Sequence, residues 1–396
     1  MKAKSRTSSK KNFKLLKSKV ALITCNSYRY GDVLSSVKRG IGLLGGLSSF
    51  IDAGEEIVLK PNLLAGDPPE KAVTTHPAVF KAVAETFKEA GASLFYGDSP
   101  GVSKPERAAY KAGIKQAADE LGIPQADFET PVKVTSPNAV LGKQLNLAAG
   151  VLNGRSLVSI SKMKTHGFTR ITGAVKNQFG CVPGLIKGEY HVKMPDTHHF
   201  STILVDINNY LKPKLFIMDG ITAMEGNGPR GGSPIDMKVL LFSTDPAALD
   251  AVFCKLIDLD PEFVPYLPIA EQAKLGTYRY ENIEIVGDDI EELINKDFTV
   301  ARRPADKLPP SSRFPTYLKN LISPKPAIDY DKCKNCGSCV LQCPVSPKAV
   351  DWPGGDKDKK PVYNYKRCIR CYCCQEICPH RAITIKVPLL GRIIYR

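Results

Sequence analysis

The chain has 396 residues, 43% hydrophobic and 24% charged, enough for two or three cored domains and unlike a disordered polymer. Its formal charge of +15 would suit nucleic acid, but no helix-turn-helix or RNA-binding motif accompanies it, so no nucleic-acid partner is expected. No run approaches the roughly 20 apolar residues of a membrane span, so no transmembrane segment is expected, and the cysteines are too clustered for a secreted disulfide framework.

Residues 1–19 carry eight Lys/Arg and no acid, which predicts a flexible basic arm. The apolar run that follows, "VALITC", is too short for a signal peptide and suits a first strand. From about 20 to 300 strand-like and helix-like segments alternate. "EIVLK" is a strand, "AVFKAVAETFKEAG" a helix started by Pro77, "SLFYGD" a strand and "PERAAYKAGIKQAADELG" a single helix. Then come strand "SLVSIS", helix "FSTILVDINNYL", strands "KLFIMDG" and "KVLLFS", helix "PAALDAVFCKLI" and strand "IEIVG". This order predicts an α/β fold, a largely parallel sheet with flanking helices, with its chemistry at the strand C-termini. Residues 301–326 hold six prolines and are expected to form a linker.

Residues 327–387 change character: nine of the twelve cysteines fall between 333 and 378. Cys333-x2-Cys336-x2-Cys339-x3-Cys343-Pro344 is repeated 35 residues later as Cys368-x2-Cys371-x2-Cys374-x3-Cys378-Pro379. This is the bacterial spacing in which each cubane takes three thiolates from one run and the fourth from the other. It assigns Cys333, Cys336, Cys339 and Cys378 to one [4Fe–4S] cluster, and Cys368, Cys371, Cys374 and Cys343 to a second. Zinc also uses Cys-x2-Cys pairs, but two full runs each ending in Cys-Pro favour cubanes. Cys373 is surplus, since the first run has Ser338 there, and the pair Tyr372-Cys373 replaces Gly337-Ser338. The module resembles a small α+β bacterial-type ferredoxin domain. With 13 Lys/Arg against 6 Asp/Glu from Ala327 on, it would steer an acidic redox partner unless that face docks on the chain's own large domain. Residues 388–396 form a basic, apolar tail, suited to packing on the large domain or to lying on a membrane surface.

In the large domain no acid occurs between Glu129 and Glu189. The second half of that span holds Lys162, Lys164, His166, Arg170, Lys176 and Lys187, with Lys164 and His166 at the end of the "SLVSIS" strand. "TGAVKNQFG" predicts a short helix with Thr172 as N-cap, whose backbone N–H groups and nearby lysines would bind an anion; a solvated basic loop is the alternative. Other strand ends bear Lys60 and Asn62, Thr74, Thr75 and His76, Asp98 and Ser99, and Glu225, Asn227 and Arg230. Gly226-x-Gly228-x-x-Gly231 fits a dinucleotide pattern, but Pro229 interrupts it and a strand follows, so it is set aside. Cys181 suits a small buried residue closing a helix better than a redox thiol.

Together "LKPNL", "TTHP", "GDSPG", "KMKTHGFTRITGAVKNQFGCVPG", "MEGNGPRGG" and "DPAALDAV" resemble the domain of unknown function 362 family, whose members often carry a C-terminal two-cluster module. The resemblance implies that Lys60, Asn62, His76, Asp98, Lys164, His166, Lys176, Asn177, Glu225 and Asn227 meet in one site.

The expected function is that of a cytoplasmic iron–sulfur oxidoreductase passing single electrons to a small anionic ligand. Lys164 and His166 are the candidate catalytic pair, Lys164 neutralising charge and His166 moving a proton. The competing reading is a non-enzymatic electron-transfer or assembly protein that docks a partner on the basic loop. A further metal site from His76, His166, His191, His198, His199, Cys181 and Asp98 has no pair at metal spacing.

Overall fold

The fold is seen in a computed structural model that describes residues 17–184, 186–304 and 320–394. Most of the expected arm (1–16), the centre of the expected linker (305–319) and the last two residues of the tail lie outside the described residues.

Strands β1 (Ser18–Thr24), β2 (Glu56–Pro61), β3 (Ser93–Tyr96), β6 (Ser156–His166), β8 (Leu215–Glu225), β9 (Ser233–Ser243) and β10 (Ile283–Gly287) form the main sheet, in the order β10-β1-β9-β8-β6-β2-β3. A hairpin of β4 (Pro131–Thr135) and β5 (Gln144–Ala148) stands apart, and the short β7 (Arg170–Thr172) turns back on β6. All neighbours in the main sheet are parallel except β9, which runs antiparallel to both β1 and β8. The fold is thus α/β with a mostly parallel sheet, as the alternation implied. β9 is reversed because only the short turn Gly226–Gly232 joins it to β8, too short for the crossover a parallel neighbour needs.

Successive residues of one strand serve opposite faces. Val20 and Leu22 of β1, Val58 of β2 and Phe216 and Met218 of β8 join one core. Ala21, Ile23, Ile57, Leu59, Leu215 and Ile217 join the other. Helices α1 (Tyr30–Leu43), α2 (Pro77–Glu89), α3 (Pro105–Lys111) and α4 (Ile114–Glu120) cover the second face. The first face is covered by α5 (Ala174–Asn177), α6 (Ile186–Lys193), α7 (Thr197–Leu211), α8 (Pro246–Leu256) and α9 (Tyr266–Gln272). The single helix expected over 105–122 is two helices, broken where Gly113 takes φ +73°.

Two geometric facts position the site. All the parallel strands end on one edge of the sheet. The chain goes from β2 outward to β3 and then returns past β2 to lay β6 on its other side, which opens a crevice at the β2/β6 carboxyl ends.

The C-terminal unit sits on that edge. Its antiparallel pair joins β11 (Lys325–Ile328) to β12 (Ile383–Lys386), so Lys325 and Pro326, at the end of the expected linker, already lie in a strand. Two short helices, Ser338–Leu341 and Cys373–Ile377, follow equivalent points of the two cysteine runs. The tail contains a helix, Leu389–Ile394, on which Leu389 and Ile393 are exposed rather than packed on the large unit.

Candidate functional site

A cavity of about 100 Å³ lies between the strand ends of the large unit and the helix Cys373–Ile377 of the small one. The large unit contributes Asn62 from β2's end, Asp98 and Ser99 from β3's, Lys164 from β6, Thr172 from β7, Lys176 and Asn177 from α5 and Lys187 and His191 from α6. Gln342, Cys373, Glu376 and Ile377 close it from the small unit.

One wall is a buried polar lattice. Lys60 and Asp98 pair at 2.8 Å, both inaccessible to solvent. Lys60 Nζ also donates to Asn177 Oδ1 (3.2 Å), Asn62 Nδ2 donates to the same oxygen (3.1 Å), and Leu63 N donates to Asp98 Oδ2 (2.7 Å). Lys164 Nζ donates to Asn62 Oδ1 (2.6 Å) and to the Val73 carbonyl (2.7 Å). Gly180 leans on the Lys60–Asp98 pair so closely that a Cβ would fall 1.9 Å from Asp98 Oδ1. That is the physical content of the glycine in "KNQFG".

The short helix differs from expectation. Thr172 ends β7, Gly173 is the residue before α5, and the first helical N–H groups are taken by a residue of the chain itself. Asp250, in the middle of α8, accepts from Ala174 N (2.6 Å) and Val175 N (3.1 Å), and Tyr266 Oη donates to it (3.0 Å). A Cβ on Gly173 would overlap that carboxylate. The acceptor at this helix start is therefore Asp250, its carboxyl pushed up to about 7 by burial, and any ligand in the cavity is met by side chains instead. Asp245 of "DPAALDAV" caps α8 through Ala247 and Ala248 N.

Burial and neighbouring charge set the protonation states. Burial, reinforced by Lys176, brings the Lys164 ammonium down to about 7. Burial also brings Lys187 down to about 7 against the pull of Asp98, and it lowers Lys176. His166 is pushed down to about 4 by burial and by Lys176, so its ring is neutral at pH 7. Its Nδ1 accepts from Phe168 N (3.0 Å) and Thr169 N (3.2 Å), which leaves the proton on Nε2, 3.0 Å from Glu376 Oε1. Burial pushes the Glu376 carboxyl up, but His166 and Lys176 outweigh it and hold it below the usual range.

The small unit is anchored around this contact. Arg230 Nη1 donates to the Ile377 carbonyl (2.5 Å) while its Nε pairs with Asp67 (2.8 Å). Gln375 Nε2 donates to Asn227 Oδ1 (2.9 Å) and to the Gly228 carbonyl (3.0 Å). Asn227 Nδ2 donates to the Ile383 carbonyl (2.9 Å). Tyr372 is buried against Phe168, ring centroids 6.2 Å apart, and its hydroxyl donates to the Pro324 carbonyl (3.0 Å).

Cysteines of the two runs come together in the small unit. Cys333, Cys336, Cys339 and Cys378, three from one run and one from the other, line a second cavity together. Cys343 and Cys371 both act electrostatically on Cys368, and Cys371, Cys368 and also Cys339 act on Cys374, so the remaining four lie together and close to the first set. Backbone N–H groups point at the fourth sulfur of each run: Ala349 N to Cys343 Sγ (3.2 Å) and Ala382 N to Cys378 Sγ (3.4 Å). Tyr363 Oη donates to Cys374 Sγ (3.1 Å). Such donors favour thiolate sulfur.

Of the residues expected to meet, Asn62, Asp98, Lys164, Lys176 and Asn177 line the first cavity, Lys60 lies behind Asp98, and His166 stands behind Glu376, its Nε2 3.0 Å from Oε1. The others are elsewhere. His76 caps α2 and stacks on Tyr28 (3.5 Å), beside the buried Lys162–Asp219 pair. Glu225 accepts from Thr299 N (2.7 Å), and Asn227 serves the docking contact. No three of the residues weighed for an additional metal gather on one ion among the described residues. Cys181 is fully buried, its thiol pushed up to about 12 by burial. Thr172, Lys187, His191, Cys373 and Glu376 line the cavity without having been singled out as its ligands. Lys187 was visible as part of the acid-free span. No sequence signal tells which side of a cysteine run faces the partner unit.

The model of a domain of unknown function, DUF362, matches residues 57–255, and that of a 4Fe-4S dicluster domain matches residues 325–379. The chain therefore binds 4Fe–4S iron–sulfur clusters. Among the described residues no helix is long and apolar enough to cross a membrane. A thylakoid-associated protein of Synechocystis is 35% identical over 258 residues, 65% of this chain and 79% of that one. Among solved structures, the lactate racemase apoprotein of Thermoanaerobacterium thermosaccharolyticum aligns at TM-score 0.38 and 11% identity, over 59% of this chain and 56% of that one. A Thermotoga maritima protein from structural genomics aligns at 0.34 and 12%, over 61% and 59%. The chain thus spans less than two thirds of either solved structure. With half its length matched by one family model and a 35% identical relative covered over most of its length, the chain belongs to the DUF362 family.

Proposed function

We propose that the chain is an iron–sulfur oxidoreductase that passes single electrons to a small anionic substrate held between its two units. The unit of residues 20–300 holds the substrate and that of residues 327–387 holds two [4Fe–4S] clusters, one on Cys333, Cys336, Cys339 and Cys378, the other on Cys343, Cys368, Cys371 and Cys374. When bound, the clusters supply single electrons. The observation that carries the reading is the position of Cys373: it lines the cavity while standing between Cys371 and Cys374 in the chain.

In this reading Lys164, Lys176 and Lys187 neutralise substrate charge. Glu376 reaches the cavity with Oε1 3.0 Å from Nε2 of the neutral His166, so the histidine positions that carboxylate, and Lys164, near 7, is the group that can hand a proton to the substrate. Asn62 and Asn177 hold Lys164 and Lys60 in place. The docked small unit keeps water out. Burial of the basic stretch inside this cavity disfavours its use as a surface for a partner protein, the competing reading. A redox partner would approach the exposed side of the first cysteine run, in the reducing cytoplasmic compartment that nine clustered cysteines suit.

The test is anaerobic: reduce the full chain, add candidate small anions, and follow reoxidation of the visible iron–sulfur absorbance. An anion that reoxidises the wild type, and does so at least tenfold more slowly in Lys164→Ala and His166→Ala with iron content unchanged, supports the assignment. Equal rates in all three proteins overturn it.

A further inference from the structure

Charge in the cavity does not balance. Asp98 is matched by Lys60 at 2.8 Å. The remaining ionisable wall groups are Lys164 from β6, Lys176 from α5, Lys187 from α6 and Glu376 from the small unit, with His191 and His166 neutral at pH 7. Three ammoniums thus face one carboxylate, an excess of two positive charges when all are ionised. Lys187 donates to the Ser99 carbonyl (2.7 Å). Lys176 makes no hydrogen bond or ion pair among the described residues; its ammonium stands 6.0 Å from the Phe179 ring centroid.

Hydrogen-bonding capacity is also unused. Thr172 Oγ1 and His191 Nδ1, on residues 4% and 5% exposed, have no hydrogen-bond partner among the described residues, and both side chains line the cavity. A buried hydroxyl or imidazole left unpaired is costly, and two of them beside an ammonium with no hydrogen bond or ion pair among the described residues describe a place shaped for something polar. Because Asp250 already occupies the α5 N-terminus, the complement must come from side chains.

We infer that this cavity binds a small dianion, held by Lys164, Lys176 and Lys187 with Thr172 and His191 as further hydrogen-bonding partners. The inference rests on reading the cavity as the substrate site, and it narrows the substrate class from anion to doubly charged anion. A monoanion would leave one positive charge of the partly buried wall unmatched, which a low-dielectric site disfavours. A larger charge would meet the Glu376 carboxylate. The volume of about 100 Å³ admits a tetrahedral oxyanion or a short dicarboxylate, or the doubly charged end of a longer molecule whose body extends outward.

The experiment uses the full chain, purified anaerobically with its clusters, and titrates sulfate, malonate, nitrate and acetate at matched ionic strength by calorimetry. One saturable site for sulfate or malonate, at least tenfold tighter than for nitrate and acetate, is expected, and the order of the two dianions tells tetrahedral from dicarboxylate chemistry. Lys176→Met lowers affinity for the better dianion at least tenfold, about 1.4 kcal/mol, with cluster absorbance unchanged. Lys176→Arg, which keeps the charge, retains most of the binding and guards against a folding artefact. Indifference between mono- and dianions, or full binding by Lys176→Met, overturns the inference. If the dianion binds as expected while reduced clusters are never reoxidised by any anion, the inference stands and the oxidoreductase reading falls.

Discussion

Cys336 of the first cysteine run is exposed, whereas Cys371, Cys374 and Cys378 of the second are buried. The two runs carry the same spacing, so ligand chemistry does not separate them; docking does. Both runs need a left-handed residue after the second cysteine. Gly337 supplies it at φ +72°, facing Trp352, and Tyr372 supplies it at φ +61°. A bulky residue there costs about 1–2 kcal/mol. The second run accepts that strain because the Tyr372 ring is buried against the large unit's core, and one turn later Gln375 and Glu376 reach across the junction. One half-repeat thus keeps the local preference and faces outward, and the other gives it up and faces the cavity between the units.

Removing a ligand from each side should separate the two roles most sharply. Cys336→Ala and Cys374→Ala are each expected to cut bound iron from about eight to about four per chain, by the two-cluster count. Only Cys374→Ala, beside the docking helix, should also lower the melting temperature by several degrees beyond its counterpart. Equal melting temperatures would mean that the second run does not anchor the small unit. Next in size is Tyr372→Gly, which makes the second run like the first. It relieves the backbone but vacates an aromatic pocket, so a net loss of about 2 kcal/mol in urea unfolding is expected, the cavity cost exceeding the strain. A neutral result would show that the ring contributes no more than the strain it causes.

The sheet was largely legible, because buried strands such as "EIVLK" and "SLVSIS" are short apolar runs bounded by turn residues. Helix α1 was missed, its "SSVKRGIGL" stretch being too rich in Ser and Gly to stand out. The cluster cysteines were legible outright because cubane chemistry fixes their spacing. The cavity was legible only where strand ends of the large unit line it. Lys164, Lys176 and Asp98 sit in short motifs at strand ends, but His76, Glu225 and Asn227 share those motifs and are spent on a cap, a loop contact and the junction. Asp250 shows the reason. A carboxylate 76 residues beyond Ala174 takes the helix start that looked free, and nothing local announces a long-range partner.

Two smaller effects probe the cavity side. Glu376→Gln keeps the shape and removes the one carboxylate that faces the three ammoniums, so sulfate should bind severalfold more tightly, the opposite sign to Lys176→Met. Weaker binding would mean that Glu376 positions the anion. The pH dependence follows from Lys164 and Lys187, both near 7 when the cavity is empty. A bound dianion raises both, so binding takes up protons. Affinity should be full below about pH 7 and fall as pH rises towards 9. An affinity that does not change from pH 6 to 9 would mean that neither lysine titrates on binding.

The smallest effect belongs to the outward run, where an acidic redox partner would arrive. The C-terminal portion counts 13 basic against 6 acidic residues, which alone suggests strong steering. Around Cys336 the balance is nearer neutral: exposed Lys332, Lys334, Lys357, Lys359 and Lys360 stand among Asp329, Asp331, Asp356 and Asp358, with Lys332–Asp329 at 3.1 Å and Lys359–Asp356 at 3.3 Å. Strong steering changes association rates by about 10- to 1,000-fold; a rim of five lysines and four aspartates should change them only a few-fold. Reduction by an acidic ferredoxin should therefore slow about two- to fourfold as salt rises from 20 to 200 mM, and Lys334→Glu should abolish that dependence because Lys334 borders the same thiols. A flat wild-type rate would remove steering from the outward run. A drop beyond tenfold would mean that the partner senses the whole basic unit, and the contrast between the two runs would then rest on burial alone.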